Sequence, residues 1–312
     1  MDAPSTYNKP VLAIALKLGA VFLFMVMAAL VKAATQEVPP GQAVFFRSIF
    51  AIPVIALWLW QRGDLREGLI PQNFMGHVWR GLFGTTAMVL TFSGLTLLPL
   101  PEVTAIGYAT PIFTVILAAM MLGERIRLVR ISAVALGLVG VMIVMWPRLT
   151  VSDLTNSATL GALMVLAAAL LRALVQIHVR QLVRTEHTAA IVFWFSVTAT
   201  VLSLLTVPFG WTTPSVFAAS LLICAGLLGG VAQIMVTSSY RFGAASMLAP
   251  FDYSSMIFAL LIGWIVFAEY PTTVMLVGSA LVIAGGGLIL WRERQLGLDR
   301  RKQRQVSYDP KG

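Results

Sequence analysis

Gly81-Leu82-Phe83-Gly84 returns 145 residues later in the chain as Gly226-Leu227-Leu228-Gly229. The same offset, without a gap, relates further identical pairs: Ala87 and Ala232, Ser93 and Ser238, Tyr108 and Tyr253, Phe113 and Phe258, Glu124 and Glu269, Gly140 and Gly285, and Trp146 and Trp291. Self-similarity at one fixed offset indicates a duplicated structural unit. The chain is therefore expected to consist of two related halves.

The composition predicts that both halves lie in lipid. Of the 312 residues, 58% are hydrophobic and 11% are charged, and the mean hydropathy is +0.87. A soluble domain carries about 25% charged residues, because its surface must face water. The net charge of +9 comes from basic residues between and after apolar runs, so no nucleic-acid partner is expected. The single cysteine, Cys224, lies within an apolar run and excludes a disulfide framework or thiolate metal site.

Ten apolar stretches are long enough to cross a bilayer, whose hydrocarbon core of about 30 Å requires roughly 20 helical residues. They lie near residues 11–34, 42–60, 78–98, 103–122 and 128–146 in the first half, and 160–179, 188–209, 215–237, 246–268 and 272–291 in the second. Backbone polar groups inside the hydrocarbon need partners within the chain, so these stretches are predicted to be α-helices.

Lysine and arginine are distributed unevenly between the two sides of these stretches. If the N-terminus is cytoplasmic, 17 basic residues lie on the inside, whereas only Arg148 lies in an outside loop. Basic residues concentrate on the cytoplasmic side of membrane proteins. The sequence therefore predicts a multi-pass protein of the bacterial inner membrane with both termini in the cytoplasm, ending in a basic tail at 292–312.

Each half contains five stretches, an odd number, so the second half must cross the membrane in the opposite direction. The predicted fold class is an all-α membrane protein of ten transmembrane helices, with one repeat at 11–146 and an inverted repeat at 160–291. Inverted repeats that enclose a site near the bilayer midplane are typical of secondary transporters. The expected partners are the lipid bilayer and a small-molecule substrate, and no motif predicts an oligomeric state.

Three short motifs stand out, and two of them lie at equivalent places in the two halves. Phe46-Arg47-Ser48 lies in the second stretch, Gly123-Glu124 ends the fourth, and Ala268-Glu269-Tyr270-Pro271 ends the ninth. With these motifs, the chain resembles the drug/metabolite transporter superfamily with its paired EamA domains, over residues 11–291. The resemblance implies a basket-like fold with a central cavity lined mainly by the first, third, fourth, sixth, eighth and ninth spans.

The opening stretch carries a narrower resemblance. Lys17-Leu18-Gly19-Ala20, Val38-Pro39-Pro40-Gly41 and Phe45-Phe46-Arg47-Ser48 are similar to the bacterial riboflavin transporters of this superfamily, and also to its S-adenosylmethionine carriers. Riboflavin uptake is the leading expectation that this resemblance implies. Export of amino acids or related metabolites and carriage of S-adenosylmethionine are its alternatives. A channel or a non-transporting membrane receptor is the alternative of a different class.

Ionisable side chains deep in the apolar stretches are functional candidates, because each costs about 2.5–3.5 kcal/mol to insert. Asp252, in the ninth stretch, is expected to bind a cationic group or to carry a coupling proton. Arg172, near the middle of the sixth, either pairs with Asp252 or meets an anionic group of a ligand. Lys17, in the first, either joins this site or extends to the cytoplasmic interface.

Three further charged residues are expected to be structural or gating. Arg47 lies about a turn and a half into the second stretch and is expected to bond backbone carbonyls. Glu124 and Glu269 end the fourth and ninth stretches, at opposite faces of the membrane. An acid at a helix C-terminus opposes the helix dipole, so each predicts a local partner such as an arginine or a helix N-terminus.

Aromatic and amide side chains complete the candidate site. Tyr108 and Tyr253 are related by the repeat, and a planar aromatic substrate is expected to be held between their rings. Gln176 and Gln233 add polar groups on the sixth and eighth stretches. The sequence carries no Walker lysine motif, no nucleophile beside an acid–base pair, and histidines only in separate segments. Neither an enzyme activity nor a cofactor or metal site is therefore expected.

Overall fold

The computed structural model of the protein describes residues 10–63, 69–122, 128–146, 157–182, 185–242, 248–281, 283–285, 287–288 and 291, and the regular elements within these ranges are helices. In chain order the α-helices are α1 (Pro10–Ala34), α2 (Pro40–Arg62), α3 (Phe74–Leu97), α4 (Leu100–Gly107), α5 (Ala109–Leu122), α6 (Leu128–Met145), α7 (Ser157–Leu182), α8 (Thr188–Ser203), α9 (Val216–Phe242) and α10 (Ser254–Phe267). A 3-10 turn follows α8 at Leu204–Phe209, and another precedes α10 at Ala249–Tyr253. A further apolar helix lies at Thr273–Gly285.

Five helical segments are long and apolar enough to cross a membrane. They are Val11–Ala34, Pro40–Arg62, Ser157–Val179, Ala189–Phe209 and Val216–Ser239. At 1.5 Å of rise per residue, the shortest of them extends over about 30 Å. Exposed apolar side chains on these segments, among them Phe22, Leu57 and Val201, suit contact with lipid. The prediction of an all-α protein with membrane-length helices is confirmed for the described residues.

Proline, glycine and asparagine mark helix ends in the first half. α2 begins with Pro40, whose missing N–H removes no helical hydrogen bond at that position. It ends at Gly63, whose φ of 72° is the left-handed conformation that glycine adopts without strain. Asn73 caps α3, because its side-chain oxygen accepts a hydrogen bond from the Gly76 N–H at 2.9 Å.

Three of the predicted stretches are not single α-helices: the one at 188–209 ends in the 3-10 turn Leu204–Phe209, and the other two contain breaks that concern the site. The stretch predicted at 103–122 is divided at Tyr108 into α4 and α5. Pro111 has no N–H, so the carbonyl of Gly107, four residues earlier, loses its helical hydrogen bond. The stretch predicted at 246–268 opens with a 3-10 turn before α10 begins. The expectation of continuous helices is wrong at both places, and both breaks contribute to the candidate site.

Helices from the two parts of the chain pack closely against each other. α1 lies along α9, α3 along α7, and α8 packs against both α2 and α3. Glycine permits the approach of α3 to α7: a Cβ on Gly94 would lie 2.2 Å from Cγ2 of Val165. Lipid supplies no hydrophobic force between helices, so such close packing holds them together. The interior of the protein therefore lies between segments that are far apart in sequence.

Candidate functional site

Lys17 and Asp252 form an ion pair, with 2.7 Å between Nζ and Oδ1. The Lys17 side chain on α1 is 3% exposed, whereas that of Asp252 is 52% exposed. Asp252 belongs to the 3-10 turn Ala249–Tyr253, so the pair joins α1 to the break before α10. Of the alternatives left open by the sequence, Asp252 pairs with Lys17 and not with Arg172 among the described residues, and the Lys17 side chain is buried in the site.

Tyr108 occupies the break between α4 and α5 and contacts the break before α10. Its hydroxyl lies 2.6 Å from Oγ of Ser255 and 3.2 Å from the carbonyl oxygen of Tyr253. Ser255 Oγ in turn donates to the carbonyl of Asp252 at 2.7 Å. The rings of Tyr108 and Tyr253 are tilted by 59° with centroids 5.3 Å apart. The two rings touch, so this conformation leaves no space for a planar molecule between them, contrary to expectation.

Arg172 on α7 lies beside the break between α4 and α5. A Cβ on Gly107 would be 3.2 Å from Nη2 of Arg172, so glycine leaves room for the guanidinium group. Nε and Nη2 of Arg172 are buried and have no hydrogen-bond partner among the described residues. The buried hydroxyl of Thr110 is likewise unpartnered there. One turn further along α7, Gln176 Oε1 accepts a hydrogen bond from Thr114 at 3.0 Å.

These contacts connect most of the predicted site residues into one group, here named the helix-break cluster. Its members share a position at or beside the two helix breaks: Lys17, Asp252, Tyr253, Ser255, Tyr108, Gly107, Arg172, Gln176. Gln233, half-buried on α9, forms no hydrogen bond to this cluster in the part of the chain that the structure describes. Glu124 lies outside the described residues. The cluster carries donors and acceptors on backbone that is not regular helix, which is where transporters bind substrates and ions.

A second ion pair joins the other end of α1 to the end of α10. Lys32 Nζ lies 2.8 Å from Oε1 of Glu269 and also donates to the carbonyl oxygens of Leu98 at 2.6 Å and Leu95 at 3.2 Å. Glu269 Oε2 accepts from the N–H of Leu100 at 2.8 Å. These five residues are named the Lys32 clamp. It ties together the ends of α1, α3, α4 and α10.

The clamp places Glu269 at a helix N-terminus, one of the two kinds of partner expected for it. The cation that pairs with Glu269 is Lys32, which was not among the predicted site residues. The backbone after α10 directs the carboxylate, since Ala268 adopts a φ of 51° and the Glu269 N–H donates to the carbonyl of Gly263 at 2.9 Å. A left-handed conformation is uncommon for alanine and marks a constrained position. The only sequence signal for the pairing of Lys32 with Glu269 is that Lys32 lies three residues before a turn.

Arg47 on α2 and Arg80 on α3 both contact the ring of Phe195 on α8. Arg47 is 6% exposed, and no hydrogen bond from it to a carbonyl is found within the described ranges, contrary to expectation. Arg80, one of the basic residues counted on the inside, lies on α3, which begins earlier than predicted, at Phe74. Long basic side chains near a span end are difficult to place from sequence, because a few residues of boundary error decide the assignment.

Comparison with known proteins gives a consistent family. A sequence profile described as the EamA-like transporter family matches residues 11–146 and 159–291. A pseudopaline exporter of Pseudomonas aeruginosa is 30% identical over 86% of this chain and 90% of its own. An S-adenosylmethionine uptake transporter of Rickettsia felis is 25% identical over 85% and 87%. A riboflavin transporter of Brucella anthropi is 29% identical over 82% and 89%.

A solved structure shares the fold of this chain. One crystal structure of a protein aligns with a TM-score of 0.65, over 91% of this chain and 98% of that chain, at 20% sequence identity. At this identity, the likeness concerns the fold alone.

Proposed function

The chain belongs to the EamA-like transporter family, and we propose that it is a secondary transporter of a small, carboxylate-bearing metabolite in the bacterial inner membrane. The observation that carries the substrate class is Arg172: its Nε and Nη2 are buried beside the break between α4 and α5 and have no hydrogen-bond partner among the described residues. A guanidinium group presents two parallel donors that match a carboxylate. A substrate carboxylate at this position would satisfy donors that the protein itself leaves unpaired.

The remainder of the helix-break cluster suits the other end of such a metabolite. The half-exposed carboxylate of Asp252 is available to an amino group or another cation. Tyr108 and Tyr253 provide an aromatic wall beside it. An amino-acid-like compound carries both charges that this arrangement recognises.

Riboflavin remains the second candidate, since the aromatic pair and the similarity to riboflavin transporters favour it. Riboflavin has no carboxylate, so it would leave the Arg172 donors unpaired. Export and uptake are both represented among the relatives' names. Both directions of transport are therefore compatible with the proposed substrate class.

The architecture proposed for transport is ten crossings in two inverted five-helix halves, 11–146 and 160–291, with a cytoplasmic tail at 292–312. The 145-residue repeat, the one-sided basic residues and the two-segment family match support it. A reporter fused after Lys311 is expected to be cytoplasmic, and one inserted at 208–214 periplasmic. If both fusions report the same side, the crossing number and the inverted repeat fail together.

Counterflow in proteoliposomes tests the function. Vesicles preloaded with amino acids, S-adenosylmethionine or riboflavin are assayed for trans-stimulated uptake of the labelled compound. We expect exchange of a carboxylate-bearing compound, and a loss of at least about tenfold in Arg172→Gln. Arg62→Gln, which removes an exposed arginine of α2, is the matched control and should transport normally.

Three outcomes would change the proposal. Exchange of riboflavin alone would put the flavin candidate first. Exchange of a carboxylate compound that Arg172→Gln leaves intact would remove the role of Arg172. Ion conductance without counterflow would indicate a channel, the alternative from a different class.

A further inference from the structure

We propose that α2, α3 and α8 form a second site that binds a small oxyanion, such as a carboxylate, phosphate or sulfate. The site consists of Arg47, Arg80 and the ring of Phe195, and none of these residues belongs to the helix-break cluster. The guanidinium carbon of Arg80 lies 3.9 Å from the ring centroid of Phe195, and that of Arg47 lies 5.9 Å from it. Two cations from different helices therefore meet at one aromatic ring.

Both arginines lack the partners that a buried cation needs. Nε of Arg47 and Nε of Arg80 are buried and unpartnered among the described residues. Neither side chain forms an ion pair with a carboxylate in that part of the chain. An aromatic ring compensates only part of the cost of burying a cation, and a second cation nearby adds repulsion. An anion bound to both guanidinium groups would remove the repulsion and satisfy the donors.

A glycine lies beside each guanidinium group. A Cβ on Gly84 would lie 2.2 Å from Nη1 of Arg80, and a Cβ on Gly229 would lie 3.4 Å from Nε of Arg47. Gly84 and Gly229 are equivalent positions of the 145-residue repeat. A side chain at Gly84 would collide with Arg80 and with the Phe195 ring, whereas a Cβ at Gly229 would lie at ordinary van der Waals distance from Arg47. The repeat therefore brings equivalent glycines beside the two arginines, and Gly84 leaves the space that Arg80 occupies.

The donor geometry selects the class of anion. A guanidinium group donates two parallel N–H bonds, which carboxylate, phosphate and sulfate accept through two oxygens and a halide does not. Two buried hydroxyls on the same helices, Ser48 Oγ and Thr85 Oγ1, are also unpartnered among the described residues. They are additional donors that α2 and α3 offer to an oxyanion.

Thermal unfolding of the full-length protein in phosphatidylcholine nanodiscs tests the site. Phosphate, sulfate or acetate is titrated at constant ionic strength against chloride. We expect a saturable rise in Tm with the oxyanions, and a half-saturating concentration raised at least about tenfold in Arg80→Gln and Arg47→Gln. Arg62→Gln is the control: Arg62 also lies over a ring, that of Trp58 at 4.5 Å, but on the exposed surface.

The same measurement distinguishes a soluble anion from a lipid headgroup. A rise in Tm in phosphatidylglycerol nanodiscs without added oxyanion, abolished by Arg80→Gln, would identify a headgroup phosphate as the ligand. Where an arginine variant does not fold, Gly84→Ala displaces Arg80 without removing a charge and should weaken the response to oxyanions. The proposal is overturned if neither added oxyanion nor phosphatidylglycerol changes the Tm of the wild-type protein. It is also overturned if the folded variants at Arg47, Arg80 and Gly84 respond as the wild type does.

Discussion

The two ends of α1 each carry a lysine that pairs with an acid from the segment around α10. Lys17 meets Asp252 at 2.7 Å and Lys32 meets Glu269 at 2.8 Å. The lysines are fifteen residues apart on one helix, which places them about 22 Å apart along its axis. The same two segments are thus joined twice by ion pairs whose lengths differ by only about 0.1 Å.

The surroundings of the two pairs differ. The side chains of the Lys32–Glu269 pair are 11% and 15% exposed, and both are held by backbone groups of the α3–α4 junction. In the other pair, Asp252 is 52% exposed and lies on a 3-10 turn. A buried, fully bonded pair resists exchange of partners, whereas a half-exposed carboxylate accepts another cation at low cost. The Lys32 clamp is therefore the more rigid connection, and Asp252 is the carboxylate that is more accessible to another cation.

Reversing the two pairs should separate their roles most strongly. In K32E/E269K, a carboxylate faces the carbonyls of Leu95 and Leu98, and an ammonium group faces the N–H of Leu100. We expect a loss of more than about 3 kcal/mol of unfolding free energy, because acceptors then face acceptors and donors face donors. Thermal unfolding of the purified wild type and variant measures this loss.

K17D/D252K is the matched reversal at the other end. Position 252 is half-exposed and can carry either charge at low cost. We therefore expect the variant to keep most of its unfolding free energy. Equal losses in the two reversed variants would contradict the distinction between a clamp and an exchangeable pair.

Glu269→Gln breaks the ion pair of the clamp by replacing one carboxylate oxygen with an NH2 group. It leaves the ammonium group of Lys32 buried without its counter-charge, and we expect a loss of about 3 kcal/mol. Glu37→Gln, at an exposed acid just after α1, should change stability by less than about 0.5 kcal/mol. A loss for Glu269→Gln as small as that of the control would mean that the clamp contributes nothing to the stability of the protein.

Asp252→Asn should affect transport more than stability. Asp252 is 52% exposed, so water can replace part of the lost pairing, and we expect a smaller loss of unfolding free energy than for Glu269→Gln. Counterflow should fall by at least about tenfold, because the amide cannot bind a cation or carry a proton as the carboxylate does. Normal counterflow with an unchanged pH profile would reduce Asp252 to a structural role.

The smallest expected effect concerns the two tyrosines. Tyr108→Phe removes the hydroxyl that lies 2.6 Å from Ser255, and we expect a loss of about 1 kcal/mol in unfolding free energy. Within the described ranges, the hydroxyl of Tyr253 forms no hydrogen bond, so Tyr253→Phe should match the wild type in thermal unfolding. A larger loss for Tyr253→Phe would show that its hydroxyl has a partner in another conformation.

Several features of the fold and site were accessible from sequence because their signals are local. Hydropathy over about 20 residues predicted the membrane-length helices. Pro40, Gly63 and Asn73, which lie at helix ends in the structure, are local signals of the same kind. The break at Tyr108 also had a local signal in Gly107 and Pro111, which the length of the apolar stretch concealed.

The sequence by itself determined that the chain consists of apolar helices, that it repeats, and that few charges lie inside it. Only the tertiary structure decided which of those charges meet. Lys17 pairs with Asp252, Arg172 stays without an acidic partner among the described residues, and Arg80 joins Arg47 at one ring. The physical reason is that helix formation in lipid depends on neighbouring residues. An ion pair instead depends on a distance of a few ångströms between residues more than 200 positions apart, which packing of distant helices alone sets.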